Sequence, residues 1–335
     1  MKIHFVYRKS NPGNYSIESI YDQLLAYWKQ SEQNTIQGVK FKLHHTYDIW
    51  SFIKAFFASL FGGYRMVHVT GGCNYMVMAF PRSRRILTVH DLYHLSADEI
   101  SFKGLYRLFY FSLPIRFSHK IVAVSEQTRK DILRHFPNAE SKIEVIPNPL
   151  HPLFNTKAKP VSIAAKPVSP LHILQIGDKP LKNYENLIKA AHDLNVKFTF
   201  VHGQQNRIKA LIQKYNITQQ VELKSNLTQE ELLEAYLKAD VLFFASMAEG
   251  FGLPLIEAQA VCLPIITSDR VPMNTLAPTA ILVDPDSPAA IKRAILQLME
   301  QGVSTTDLKA SKEAVEHFQV PRVAEHYKGL YLSLT

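Results

Sequence analysis

The sequence predicts an α/β fold built on parallel sheets. An unbroken apolar run stands at residues 241–244, and predominantly apolar strand-like stretches at 86–89 and 264–267. Lacking the polar alternation of a half-exposed strand, they read as strands buried on both faces. Glycine-containing loops and helical segments follow several of them, the strand–loop–helix pattern of parallel sheets. The chain is 335 residues long and 47% hydrophobic, enough for two domains, each with its own core.

Residues 240–268 show the pattern most clearly. A strand over 241–244 leads into the loop Glu249-Gly250-Phe251-Gly252, where larger side chains would obstruct. Pro254 is suited to open a helix over about 255–261, because its fixed φ and missing N–H cost nothing there. A second strand, 264–267, completes the unit. The free N–H groups of the first turn and of the Gly-Phe-Gly loop suit a phosphate or a leaving oxyanion. Glu249 in the loop and Glu257 in the expected first turn face one pocket. Carboxylates repel phosphate, so they are better read as acceptors for sugar hydroxyls. The alternative is that Glu257 complements the helix dipole and Glu249 is solvated.

Ser246-x-x-Glu249-Gly-Phe-Gly-Leu-Pro-x-x-Glu257-Ala, with seven residues between its glutamates, resembles the signature of retaining GT-B glycosyltransferases of the glycogen-synthase and mannosyltransferase group. The resemblance implies two Rossmann-like domains with parallel sheets facing across a cleft. It divides the chain into an acceptor-side domain over 1–150 with a tail at about 318–335, a linker over 151–170, and a nucleotide-sugar domain over 171–317. It implies that Glu249 meets the donor sugar and Glu257 the ribose. The amides of Gly250, Phe251, Gly252 and Leu253 would hold the diphosphate. No metal or other cofactor is expected.

Composition agrees. No apolar run approaches the ~18 residues of a membrane-spanning helix. The N-terminus reads as a first strand, not a secretory signal. Cys73 and Cys262, without metal-ligand spacing, read as free buried thiols in a reducing cytosol. Residues 1–155 carry 19 Lys+Arg and 11 Asp+Glu, a net of +8, against +1 for 156–335 (19 and 18). A basic half suits an anionic membrane surface, an acidic acceptor or nucleic acid, and the last has no motif here. A cytoplasmic protein, peripheral at the inner face of the membrane in one reading, is expected.

From the N-terminus, the first strand runs into a loop holding Gly13, then a helix over about 17–29. The resemblance places this loop near the donor phosphates and acceptor, with one glycine where many relatives have two. Residues 49–61 look helical and very apolar, and read as a packed core helix, the alternative being a membrane-docking face. Residues 103–120 mix basic and aromatic residues at helical spacing, with Pro114 expected to kink or end the helix. His90 falls at the carboxyl end of the strand 86–89. Family context places it near donor sugar and acceptor, while Asp91 orients its imidazole or caps the next helix. Ser125 reads as an N-cap, and Pro147-Asn148-Pro149 as the end of the first domain.

The second domain opens with a strand from His172 to Gly177 and the loop carrying Lys182-Asn183, similar to a Lys-Asn pair of relatives. A lysine there would neutralise the diphosphate as it leaves. Asp178 stands where several relatives have Arg, so the phosphate leans on Lys182, with Lys179 as substitute. Asn226 lies in the loop where relatives seat the nucleobase. Cys262 and Met273-Asn274 depart from the family's Gly and Pro-Glu. Asp284-Pro285-Asp286 resembles a metal site but matches a common family loop instead. Helices are expected over 287–301 and 308–317.

The expected activity is transfer of a hexosyl unit from a nucleotide-diphosphate sugar to a saccharide or lipid-linked acceptor, with retained configuration, in cell-surface polysaccharide or glycolipid assembly. His90, Lys182 and Glu249 are the expected catalytic residues; Gly13, Gly177, Asn183, Asn226, Gly250, Phe251, Gly252, Leu253 and Glu257 would bind the donor. A sugar-nucleotide epimerase and a non-catalytic saccharide-binding scaffold are the rivals.

Overall fold

These apolar stretches become interior strands of two parallel sheets. The structure is a computed structural model describing residues 1–9, 16–31, 36–45, 48–96, 103–158, 169–177, 179–201 and 205–335. The chain separates into two compact units, Met1–Pro149 with Val320–Thr335, and Leu150–Gln319.

In the first unit, β1 (Lys2–Tyr7), β2 (Gln37–Lys42), β3 (Met66–Val69), β4 (Arg84–Val89), β5 (Lys120–Ala123) and β6 (Ile143–Val145) lie in the order β2-β1-β3-β4-β5-β6, all parallel. The central strands bury nearly every side chain, while edge strand β2 alternates in exposure. The chain's last helix, Val320–Leu332, packs on Ser16–Gln30. It is tied in by a buried polar network. The Tyr21 hydroxyl donates to Thr88 Oγ1 (2.6 Å), and His68 bridges Tyr331 OH and Thr88 Oγ1, each at 2.8 Å. Burial holds His68 neutral, its pKa pushed down to about 3.

In the second unit, β7 (Leu171–Ile176), β8 (Val196–Val201), β9 (Val221–Lys224), β10 (Val241–Phe244), β11 (Ile265–Ser268) and β12 (Ile281–Val283) take the order β12-β11-β10-β7-β8-β9, again all parallel. Counted from its own first strand this is the doubly wound order 3-2-1-4-5-6, which reverses between β7 and β10. Aromatic and branched side chains of β7, β8 and β10 form its core with the helices Tyr184–Ala191 and Pro288–Gln301.

Several expectations are redrawn. Residues 152–155 of the expected linker form a 3₁₀ turn whose Phe154 is buried edge-on against Tyr236, with 5.2 Å between ring centroids. Helix Ile49–Leu60 is only partly a core helix: it buries Ala55 and Ser59, packs the half-buried Phe52 on the core, and leaves Ile49, Trp50, Ile53 and Phe57 exposed. Pro114 neither ends the helix nor stands alone as a kink. Ahead of it the helix widens into a π turn, Leu108–Ser112, between Lys103–Arg107 and Leu113–Phe117. Cys262 adopts a left-handed backbone (φ 57°) just past the helix Leu253–Ala260, a conformation that favours glycine.

Candidate active site

The reversal of strand order between β7 and β10 sends successive connections to opposite faces and leaves a crevice at the strands' carboxyl ends. Both loops that enter it carry a charge. After β7 the chain turns at Gly177 and makes the short 3₁₀ turn Pro180–Lys182; after β10 it runs to Glu249. Lys182 Nζ and Glu249 Oε1 meet at 2.5 Å, with the ammonium 4.7 Å from the centre of the Phe244 ring. Their side chains are 21% and 13% exposed, so the pair is sheltered but reachable from solvent. Gly177 is required here. Its φ is +106°, and a Cβ would lie 2.7 Å from Lys182 Cγ, in the path of the lysine stem.

The two loops are fastened to each other. Met247 N–H donates to Leu181 O at 2.8 Å. Asn183, left-handed at φ 62° and 3% exposed, donates through Nδ2 to Ala245 O (3.0 Å) and Pro285 O (2.7 Å). Asn183 is thus an anchor for three loops, its amide turned to protein carbonyls. Gln175, buried on β7, adds a donor to Lys182 O at 3.3 Å.

The helix after β10 spans Leu253–Ala260, with Gly252 (φ +112°) before it and Pro254 at its second position. Its free N–H groups start at Leu253, two residues earlier than the sequence suggested. Phe251 contributes backbone only, because its ring is buried against Phe318 at 5.7 Å. Glu257 consequently falls in the second turn, and no acidic residue occupies the first, so it does not serve the helix dipole at the N-terminus. Its Oε2 accepts a 2.6 Å hydrogen bond from Tyr236 OH. Burial raises the Glu257 pKa to about 7, outweighing the tyrosine bond that favours the anion. Folding therefore holds a proton that the unfolded chain gives up nearer pH 4.5. The associated stability is present below that pH and lost as pH rises through 7. Glu257→Gln, which can still accept from Tyr236, is expected to leave stability unchanged near pH 4 and to raise it above pH 7, by up to about 3 kcal/mol. Urea titrations across this range check it; equal stability of both proteins at pH 8 would refute the buried-carboxyl account.

The other candidates separate from this group. Asn226 (φ 55°) is exposed after β9, at the sheet edge and two strands from β7. The carboxylates of Asp284 and Asp286 face Arg270, which pairs closely with Asp286 and lies 4.0 Å from Asp284, so this pair is engaged by a cation of the chain itself. Among the described residues no group of three metal-ligating side chains converges. Gly13 and Asp178 lie outside the described residues.

His90 belongs to the first unit, just past β4. Its Nε2 is 2.9 Å from Thr70 O. A carbonyl only accepts, so Nε2 carries the proton and Nδ1 presents its lone pair. Burial, the dominant influence, holds the imidazole pKa below its usual value despite that bond, which makes His90 a neutral acceptor near pH 7. Asp91 does not orient it: Asp91 Oδ1 accepts from Tyr93 N–H (3.2 Å) and caps the following turn. Instead the ring rests on Gly71 (φ +101°), where a Cβ would lie 2.5 Å from His90 Cδ2. Beside it Arg8 pairs with Glu18 at 3.0 Å and crosses Gly72.

Sequence reasoning missed Gly71, Arg8, Gln175 and Tyr236. Thr70-Gly71-Gly72 at the end of an apolar run was a readable signal. Tyr236 was not readable, since it lies 21 positions from Glu257 on another helix.

Two parallel six-stranded sheets, the second gathering a lysine, a carboxylate and a helix start at its switch point, define an α/β protein of the GT-B fold. Residues 164–316 match the family model of glycosyl transferases group 1, and residues 6–152 match that of Glycosyltransferase Family 4. Among curated proteins it is similar to the serotype-specific mannosyltransferase WbdA of Escherichia coli, 29% identical over 247 residues, covering 64% of this chain and 30% of WbdA. It is also similar to the O-antigen chain mannosyltransferase RfbU of Salmonella typhimurium, 26% identical over 219 residues, 62% of this chain and 59% of RfbU. The chain thus spans about a third of WbdA and rather more than half of RfbU. Among solved structures, Anabaena HepE in complex with UDP and glucose superposes with a TM-score of 0.77 at 18% identity, covering 99% of this chain and 100% of that one. That likeness is one of fold. No described helix is long and apolar enough to cross a membrane.

Proposed function

We propose that the protein transfers a hexosyl unit, with retention of configuration, from a nucleotide-diphosphate sugar to a saccharide or lipid-linked acceptor in cell-surface polysaccharide or glycolipid assembly. The observation that carries this is the convergence of Lys182 and Glu249 at the switch point of the second unit, beside the N–H groups that start the helix Leu253–Ala260. Mannose is the sugar in the names of the curated relatives, which favours a mannosyl donor.

In this reading the diphosphate lies against the helix N-terminus and Lys182, and the sugar hydroxyls against Glu249. The bond from the anomeric carbon to the diphosphate oxygen breaks, and its electron pair leaves with the phosphate. The acceptor hydroxyl forms the new bond on the same face and passes its proton to the departing diphosphate. No residue serves as nucleophile, and no metal is assigned. Lys182 ammonium and backbone N–H groups stabilise the charge as it develops. His90 Nδ1 offers a neutral acceptor for a sugar hydroxyl. Peripheral contact with an anionic membrane belongs to the same reading; nucleic acid does not.

The test combines a thermal-shift panel of UDP-, GDP- and ADP-sugars, with and without EDTA, with NMR of the product's anomeric proton. Stabilisation by one nucleotide class, indifferent to EDTA, and an unchanged anomeric configuration are expected. Donor interconversion without acceptor would favour an epimerase, and binding without consumption a scaffold. An inverted product would overturn the front-face path.

A further inference from the structure

Helix Ile49–Leu60 is amphipathic in reverse. The face packed on the protein holds the buried Ala55 and Ser59 and the half-buried Phe52, which stacks on Tyr75, whereas Ile49, Trp50, Ile53, Phe57 and Phe61 are exposed, Trp50 by 72% and Phe61 by 88%. At 100° per residue those five fall within an arc of roughly 120°. A core helix would bury these side chains, and a surface helix facing water alone would not carry them. Their large, stiff rings are also held in place. Asp48 caps the helix through Ser51 N–H (2.9 Å), and Asp48 N–H donates to the Tyr75 hydroxyl (2.9 Å).

Past the capping Asp48, the charge along the stripe has one sign. Residues 49–90 contain no Asp or Glu and five Lys+Arg. Lys54 is exposed on the helix itself, and Arg82 NH1 caps its last turn through Leu60 O at 2.5 Å, beside Phe61. A second segment, Lys103–Phe117, repeats the pattern: Leu105, Leu108, Phe109 and Phe117 are exposed, interspersed with Arg107 and Arg116. Both segments pack on the same 3₁₀ turn, Asn74–Ala79. Apolar rings flanked by cations match a surface that is hydrocarbon beneath and anionic at its headgroups. A second copy of the chain would bring the same cations together and is disfavoured by that charge.

We propose that the face of Ile49–Leu60, with Phe61 and the adjoining segment Lys103–Phe117, docks the first unit on an anionic lipid bilayer, the rings entering the interface and Lys54 and Arg82 meeting phosphate headgroups. This gives the membrane contact of the proposed function a defined surface, and it is testable without any donor or acceptor, so its failure leaves the sugar chemistry to be judged separately.

The whole chain is mixed with vesicles of phosphatidylcholine alone or with phosphatidylglycerol added, and bound protein is separated by flotation. The unaltered chain is expected to float with the anionic vesicles, to bind less at high salt, and to bind neutral vesicles weakly. W50S/F57S is expected to reduce partitioning at least about tenfold, since two large apolar side chains no longer leave water. Phe61→Ser, outside the helix, should reduce it less while sparing the fold. Trp28 is 5% exposed, so a blue shift of tryptophan fluorescence on anionic vesicles reports on Trp50 in the unaltered chain. Absence of that shift, or equal flotation of W50S/F57S and the unaltered chain, overturns the proposal. So does a lipid-free dimer that W50S/F57S dissociates, because the face would then be covered by a second copy.

Discussion

Lys182→Ala is expected to lower the turnover of sugar transfer by about 10²–10³-fold, the usual effect of removing one donor aimed at developing anionic charge. The ammonium stands at the switch point, held by Glu249 at 2.5 Å and seated over Phe244. Its loss deprives the leaving diphosphate of its only assigned side-chain cation. Fold stability should fall by no more than about 1 kcal/mol, because the ion pair keeps solvent access and its worth is screened. Steady-state kinetics with the donor varied separate the roles. A loss in kcat exceeding any rise in donor KM fits a charge stabilised at the transition state. A folded Lys182→Ala variant with unaltered kcat would remove Lys182 from the catalytic group.

Asn183→Ala should be the most destabilising single change at the site, by about 3 kcal/mol, from two orphaned carbonyls and a left-handed backbone that alanine tolerates poorly. Its amide is buried and donates to Ala245 O and Pro285 O, so it joins the loops that follow β7, β10 and β12. Asn183→Gly separates the two contributions: glycine relieves the backbone and should recover about 1 kcal/mol while the carbonyls stay unpaired. Equilibrium urea unfolding measures both variants. Asn183→Ala within experimental error of the unaltered chain would refute the anchor role and return Asn183 to the ligand.

Much of the site was legible because it is written in consecutive residues. Glu249-Gly250-Phe251-Gly252 and Lys182-Asn183 sit directly after apolar runs, and a strand's carboxyl end is where a parallel sheet exposes its loops. The helix starts at Leu253, ahead of the expected 255, and Pro254 takes its second position rather than its first. Glu257 and Glu249 looked like a matched pair by spacing. The structure gives them different surroundings, a lysine for one and a buried tyrosine for the other.

Helix Ile49–Leu60 marks a second limit. Its composition is that of a core element, and composition cannot say which way a helix is turned. Orientation was decided by packing: Ala55, Ser59 and Phe52 approach the turn Asn74–Ala79, and the Trp50 and Phe57 rings are left outside.

The amino-acid sequence by itself determined the strands, the loops that follow them and the identity of the charged groups, because apolar continuity, glycine and proline act within a few neighbouring residues. Tertiary structure alone decided the strand order that puts β7 beside β10, and with it the meeting of Lys182 and Glu249. It also decided the proton on Glu257, the tautomer of His90 and the outward face of Ile49–Leu60. Each of those depends on burial and on partners distant in the chain, which no local pattern encodes.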